Sequence, residues 1–548
     1  MSHTDGHTAP VAHRRHFRRG PARALLPSAA LLMFLAGCGE EEKVDNRPNV
    51  LWVVWDTVRA DRLSLYGHEP PTTPYLREFA ARARVYEDCM SVSSTTVPSH
   101  ASMFTGLMPS EHGLDNMERN LLHDDFTTIA ELLGRSGYRT YLFAANPFIS
   151  ETYNFDQGFD RAEGPYSSKY AERALEIVRR KVPPQDHSSE LRYQIAAGRS
   201  MADKGMDWAI KSTGELAREG VAEWLEDSDA GRPYFIFLNY MEAHRPYIPP
   251  EKYRHRFMTP EQVETSYTVD RSWPTMWAYT FGLHEYTPEE LKLTAATYDA
   301  ALAELDDLFR NLLAALEARG LLDNTLVILT ADHGEHLGEH HLLDHQYSVY
   351  QPLLHVPLLV HYPERFAPGR DRRPVMNLDL FATVLEVAGV DPPGGLPQRG
   401  VSLLSPLEER ERIAEYPRAT TRPFPEVMRR HPGWDPAPWQ RSLRALRDGR
   451  FKYIAASDGR DELYDLLSDP EEGVNLLRFD ETTAAEMAGA LNAAVADFHP
   501  FLTSSTGSAT LSEAQRRRLG SLGYIDEATA PDAGPQPASQ PGTPPPGP

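Results

Sequence analysis

With 548 residues, the chain is long enough to bury a large core and to hold one big domain plus a smaller one. Apolar residues at 41% and charged residues at 24% match ordinary globular usage, which excludes wholesale disorder. The net charge of −22, with no compensating basic segment beyond the N-terminus, excludes a nucleic-acid binder and favours solubility.

The first residues read as an export signal. Arg14, Arg15, Arg18, Arg19 and Arg23 form a basic start, and Ala24 to Phe34 is an apolar run too short to span a membrane. The run ends in Leu35-Ala36-Gly37-Cys38, which resembles a bacterial lipobox; residues 1–37 would be removed, Cys38 lipidated, and 38–46 left as a polar tether. The resemblance implies an exported protein of the cell envelope, periplasmic or at the surface, that meets the membrane through this lipid anchor alone. Arg14-Arg15-His16-Phe17 also resembles a twin-arginine signal, although basic and not apolar residues follow it. With Cys38 modified, no disulfide framework remains, and Cys89 reads as a small core residue.

Pro48 to Trp55 is a continuous apolar run, as expected of a buried parallel strand, and Asp56 stands at its carboxyl end. Ligands gather at such strand ends in open α/β sheets, so Asp56 is a candidate metal ligand or base. Next, Thr95 to Gly106 carries helix-start signals: Pro98 suits a first turn, Thr96 or Val97 would be the cap, and Gly106 can end the helix in left-handed geometry. A helix start favours anions, and His100 falls on the same side as Thr96. The same residues also describe an ordinary capped helix with a surface histidine.

Gly137 to Ala145 predicts a second strand ending at Asn146, and residues 150–230 read as polar helices and loops, a rim over a pocket. Tyr234 to Tyr240 is a third strand, and His244 falls just past it. Leu302, Leu305, Phe309, Leu312 and Leu316 recur at helical spacing and predict an amphipathic helix stopped by Gly320. Thr325 to Ala331 returns as a central strand capped by Asp332-His333-Gly334, the repeat of a doubly wound sheet. His333, His336, His340, His341 and His345 crowd one loop together with Asp332, Glu335, Glu339 and Asp344, a density that points to metal or phosphate chemistry. The strand Val356 to His361 follows. Past residue 410, a hairpin around Asp448-Gly449, the segment Glu462 to Leu466 and a helix near 482–498 predict a small α+β subdomain over 411–526, after a main domain over 47–410. A Pro-rich tail, expected to be disordered, occupies 527–548.

Asp56, Thr96, Asp332 and His333 all border strand ends of one inferred sheet and can meet around a divalent ion: Mn, Mg, Ca or Zn. One ion is expected and two are possible. A dication would activate the Thr96 hydroxyl, and the helix start would receive developing charge.

These residues lead to a family resemblance over residues 46–525. Pro48-Asn49-Val50 with Asp56, Leu65-Tyr66-Gly67, Pro98 to Gly106, Asp332-His333-Gly334-Glu335, Glu462 to Leu466, Asp469-Pro470 and Asn475-Leu476 together resemble the sulfatase family of the alkaline phosphatase superfamily. The resemblance implies a doubly wound, mostly parallel sheet flanked by helices, with a smaller C-terminal α+β subdomain. It also implies a metal held by Asp56, Asp332 and His333, a nucleophile at Thr96, and His244 and His345 binding the ester or protonating its leaving oxygen. His100 replaces the arginine of the family's motif, and Thr57 replaces its second aspartate.

Typical sulfatases carry Cys or Ser where this chain has Thr96 and convert it to formylglycine; a secondary alcohol cannot become that aldehyde. Thr96 is instead similar to the nucleophile of nucleotide phosphodiesterases and phosphoethanolamine transferases, which pass through phosphothreonine. The expected reaction is hydrolysis of sulfate or phosphate esters, with phosphoester chemistry favoured, on a small-molecule, glycan or lipid-headgroup substrate. A phospho-headgroup transferase is the rival enzyme, although such transferases carry membrane-spanning helices and this sequence shows none. His336-Leu337-Gly338-Glu339-His340 fits an inverted zinc-peptidase pattern. A non-catalytic surface lipoprotein that binds anionic sugars is the alternative of another class.

Overall fold

The computed structural model describes residues 45–115, 121–181, 209–227, 231–392, 394, 397, 399–406, 410–501 and 511–521. The export signal, Cys38, most of the tether and the Pro-rich tail lie outside the described residues. From residue 45 onward the chain forms one compact unit.

Strands β1 (Asn49–Trp55), β2 (Arg84–Met90), β3 (Arg139–Ala144), β4 (Arg161–Glu163), β5 (Tyr234–Tyr240) and β6 (Thr325–Thr330) are followed by the short β7 (His336–Leu337) and β8 (Leu343–Asp344), then β9 (His355–His361), β10 (Gly369–Asp371) and β11 (Val375–Met376). The main sheet has the order β10-β2-β9-β6-β1-β5-β3-β4, with β11 also on β2. β9 runs antiparallel to both its neighbours, and the other pairings are parallel. β1, β5 and β6 are central and covered on both faces, which is why their sequences are unbroken apolar runs.

Helices α1 (Thr96–Thr105), α2 (Ala171–Lys181), α3 (Thr213–Glu226), α4 (Pro288–Glu317) and α5 (Asp379–Ala388) flank the sheet. Side chains alternate across β1, so Trp52 and Trp55 point to opposite faces. Trp55 meets Phe309 of α4 edge-on, with ring centroids 5.9 Å apart. Trp52 packs on Phe237, which in turn meets Phe104 of α1. The two faces are thus covered by different helices, as a doubly wound sheet requires. α4 starts well before the apolar repeat that begins at Leu302, because Thr287 and Glu290 form a capping box around Pro288. Gly106 ends α1 at φ 72°, and a Cβ there would come within 2.7 Å of Phe381, so the residue serves both the turn and the packing of α5 on α1.

The smaller sheet runs β12 (Arg412–Tyr416), β13 (Leu443–Arg447), β14 (Phe451–Ala456) and β15 (Glu462–Asp465) in antiparallel order, with α6 (Glu481–Ala494) packed on it. Its core continues into Met90, Val92 and Leu354 of the main body. The final helix, α7 (Glu513–Ser521), falls within the span assigned to the subdomain, yet it seats Leu519 in the core of the main sheet. Among the described residues, no helix is long and apolar enough to cross a membrane.

Candidate active site

β6, β1, β5 and β3 lie side by side and parallel, so their carboxyl ends open onto one edge of the sheet. Asp56 follows β1, Asp332 and His333 follow β6, His244 follows β5, and Asn146 follows β3. Register sets Val54 level with Thr330, which brings Asp56 beside the Asp332 turn. After Asp56 the chain passes through Thr57 at φ 61°, a strained conformation for a β-branched residue. Two bonds hold it there: Thr57 N–H donates to Asp332 Oδ1 (3.2 Å), and Tyr298 Oη donates to the Thr57 carbonyl (2.7 Å).

Asp56, Asp332 and His333 are fully buried and present ligand atoms within 4.8 Å of one another. Each carboxylate spends one oxygen on protein donors. Asp56 Oδ2 accepts from Asn146 Nδ2 (3.0 Å) and Asn239 Nδ2 (3.1 Å), and Asp332 Oδ1 accepts from His333 N–H (2.9 Å) as well as from Thr57. The other oxygens, Asp56 Oδ1 and Asp332 Oδ2, are buried with no hydrogen bond. His333 Nδ1 donates to the Gly334 carbonyl (2.9 Å), leaving the Nε2 lone pair beside Asp332 Oδ2 (3.3 Å) and Thr96 Oγ1 (3.2 Å).

Two orphaned carboxylate oxygens, an imidazole lone pair and a hydroxyl fit a divalent cation. Without one the site is electrostatically costly. Burial, and Asp332 beside it, push Asp56 up to about 6; burial pushes Asp332 up to about 7; burial also drives His333 down to about 3. A bound dication would offset the repulsion and hold both carboxylates ionised.

Thr96 is the first residue of α1, and the cap is Thr95, in extended backbone, not Thr96 or Val97 as expected from the sequence. The shift by one residue frees the Thr96 hydroxyl from capping and turns it to His333. His100 does share the Thr96 side of the helix, but it sits behind the Thr96 hydroxyl: its Nδ1 donates to the Thr96 carbonyl (3.0 Å), and its Nε2 lies 3.5 Å from Asn239 Nδ2. Burial lowers it to about 3, so it is neutral and supports the Asp56 ligand through Asn239. Ser99 Oγ donates to the Asp332 carbonyl (2.8 Å), and Asn377 Nδ2 bridges Ser99 Oγ (3.1 Å) and that same carbonyl (3.2 Å), tying α1 to the Asp332-His333 turn.

His345 and His244 complete the row. The His345 ring lies 4.6 Å from that of His333 and 5.3 Å from that of His244. His345 Nδ1 donates to Glu335 Oε1 (3.2 Å) and lies 2.7 Å from Asp344 Oδ1, which accepts from the His345 N–H (2.8 Å), and the buried His345 Nε2 has no hydrogen-bond partner. Burial opposes charge on this ring, yet Asp344 and Glu335 together raise it well above the ordinary histidine value. Glu335, Asp344 and His345 could by proximity hold a second ion. Both carboxylates already flank Nδ1, however, so the cluster reads as an oriented imidazolium. His244 Nδ1 donates to the Arg245 carbonyl (2.6 Å).

Of the polar residues around the site, Asn146 reaches Asp56, whereas Arg59 pairs with Asp61 (2.6 Å) and Glu339 (2.7 Å), and His112 bonds Ser102 Oγ (3.1 Å). The inverted peptidase pattern fails because β7 and a tight turn replace the helix it needs: His336 bonds Ser348 Oγ, and His340 stacks on Tyr350. His341 likewise stacks on Tyr279. Asn239 and Asn377 are additions that the structure makes to the sequence-derived set. A signal existed for Asn239, a lone amide in the apolar strand Tyr234–Tyr240; Asn377 carries none, and Ser99 was visible only as part of the Pro98 to Gly106 motif.

The sulfatase family model matches residues 48–390, and the model described as N-sulphoglucosamine sulphohydrolase, C-terminal, matches residues 338–499. The chain is 24% identical over 531 residues to N-acetylglucosamine-6-O-sulfatase of Bacteroides thetaiotaomicron, covering 84% of this chain and 88% of that protein. It is 26% identical over 492 residues to arylsulfatase K of Homo sapiens, covering 84% and 85%. A solved phosphonate monoester hydrolase from Silicibacter pomeroyi has the same fold, with a TM-score of 0.61 at 23% identity over 82% of this chain and 95% of that one. The chain belongs to the sulfatase family, within the alkaline phosphatase superfamily, and is a hydrolase of ester bonds.

Proposed function

We propose that this enzyme hydrolyses phosphate esters or phosphodiesters through a covalent intermediate on Thr96. One observation carries the reading: where typical members present a formylglycine precursor, this chain presents a buried secondary hydroxyl 3.2 Å from His333 Nε2. Thr96 cannot give the aldehyde, and Cys89 is buried within β2. Asp56, Asp332 and His333 would hold the cation with Thr96 Oγ1. When bound, such an ion supplies Lewis acidity and lowers the pKa of a coordinated hydroxyl. Thr96 Oγ1, its proton lost to solvent, would bond to phosphorus as the bond to the leaving oxygen breaks. His345, charged by its two carboxylates, and His244 beside it supply the proton to that oxygen, and water later releases phosphate and restores the hydroxyl.

The shared fold with phosphonate monoester hydrolases supports phosphorus chemistry. Relatives named as sulfatases favour sulfate ester hydrolysis as the second reading, and N-acetylglucosamine-6-O-sulfatase among them supports a glycan-borne ester. The test is an assay of wild type and Thr96→Ala on aryl phosphate, phosphodiester and aryl sulfate with Mn, Mg, Ca and Zn. Phosphoester turnover that vanishes in Thr96→Ala is expected; dominant sulfate cleavage that survives the substitution would overturn the mechanism. We further infer lipidation at Cys38 and anchorage in the cell envelope. Labelled palmitate incorporated by wild type and not by Cys38→Ala is expected, and an unlabelled wild type would contradict it.

A further inference from the structure

The stretch before α3 contains a lysine buried to 1% exposure that the chemistry above does not use. Lys211 lies in the short 3-10 segment Ala209–Ser212, and its ammonium reaches under the turn that follows β5. Nζ donates to the Met241 carbonyl (2.6 Å) and to the His244 carbonyl, with the Glu242 carbonyl at 3.5 Å. An ammonium has three N–H donors, and here all three are directed at main-chain oxygens of one four-residue turn. These residues are buried past the end of the β-ladder; the Met241 carbonyl also accepts from His244 N–H (3.2 Å), and a buried acceptor left unmet costs about 1–3 kcal/mol. The arrangement is itself braced. Lys181 donates to the Lys211 carbonyl and pairs with Glu304 (2.6 Å), while Glu242 Oε1 accepts from Gly214 N–H (2.8 Å).

The turn held in this way carries His244. Its main chain is tied to Lys211 through the carbonyl, and its ring is tied to the Arg245 carbonyl through Nδ1. We propose that Lys211 is the positioning residue for His244: by gathering the carbonyls of Met241, Glu242 and His244 around one ammonium, it fixes the turn that sets the His244 ring beside His345. Burial pushes Lys211 down to about 7, the penalty expected of an ammonium held mainly by neutral oxygens. A residue needed only for packing would be served as well by an apolar chain of the same length.

This inference rests on the proposed role of His244 at the leaving oxygen, and the experiment separates the two. Lys211→Met, His244→Ala and the double variant are compared on a phosphate ester with a poor alkyl leaving group and on its activated nitrophenyl counterpart. Lys211→Met should lower kcat on the alkyl ester by about 10- to 100-fold with little change in KM, and should affect the nitrophenyl ester much less. The double variant should be no slower than His244→Ala, and Lys211→Arg, which keeps the charge and the donors, should recover part of the loss. Additive losses, or wild-type kcat in Lys211→Met, would overturn the inference. If His244→Ala keeps full activity, the leaving-group role fails, and the Lys211 claim is then read from crystal structures alone: a displaced His244 ring in Lys211→Met supports it, and an unmoved ring refutes it. Should Lys211→Met not fold, Lys211→Gln carries the same cycle and the same structural comparison.

Discussion

Replacing Asp332 by asparagine should stabilise the metal-free protein while abolishing its response to metal. In the native fold the Asp332 carboxyl is raised by burial to about 7 from an ordinary 3.8. Between those two values the native state binds a proton that the unfolded chain has released, so stability falls as pH rises through the window and the penalty is complete above it. The gap corresponds to about 4 kcal/mol near pH 8, about 2 near pH 5 and nothing below the ordinary value. D332N removes this penalty and leaves the geometry in place: its oxygen can still accept from Thr57 and His333 N–H, and its amide can donate to the His333 Nε2 lone pair 3.3 Å from Oδ2. Urea denaturation of chelator-treated protein at pH 5 and pH 8 measures the effect. The stabilisation by D332N should be larger at pH 8, and added divalent metal should raise the midpoint of wild type only, more so at pH 8. A D332N variant less stable than apo wild type at both pH values, or a metal response retained by D332N, would refute the reasoning.

Asn239→Leu takes one of the two amide donors from Asp56 Oδ2 and the amide neighbour from His100, with the same branching at Cγ. Calorimetric titration should show metal binding about 10- to 100-fold weaker with the fold intact; unchanged affinity would mean that Asn146 alone suffices. Gly334→Ala should destabilise by about 3 kcal/mol because its Cβ would lie 2.0 Å from the Pro352 carbonyl oxygen. A denaturation midpoint equal to wild type would show that the loop after Asp332 yields more easily than its contacts imply.

How much of this was legible in the sequence depended on burial. β1, β5 and β6 are covered on both faces, so their unbroken apolar runs announced them, and the residues just past them announced Asp56, Asp332, His333 and His244. β2 mixes Arg84, Glu87 and Asp88 with apolar residues, and β4 is only Arg161–Glu163, so neither produces a run. The helix start at Thr96 was legible to within one residue. That residue mattered, because with Thr95 at the cap position the Thr96 hydroxyl is turned to His333 in the candidate metal cluster. The histidine-rich loop was legible only as a density. Its division into His333 and His345 at the site, and His336, His340 and His341 away from it, follows from the positive φ of His340, His341 and Asp344, which no periodicity encodes. Lys211 gave no signal at all, since a buried lysine in a polar stretch looks like any surface lysine.

The central claim is that Thr96 forms a covalent bond to the substrate. Metal-loaded enzyme is mixed with a phosphate ester, quenched in acid within a turnover, and read by intact mass and peptide fragmentation. One phosphoryl group on the peptide that contains Thr96, absent from Thr96→Ala and present in Thr96→Ser, is the result this account predicts. Turnover by wild type with no adduct on that peptide, or an adduct that persists in Thr96→Ala, would contradict it.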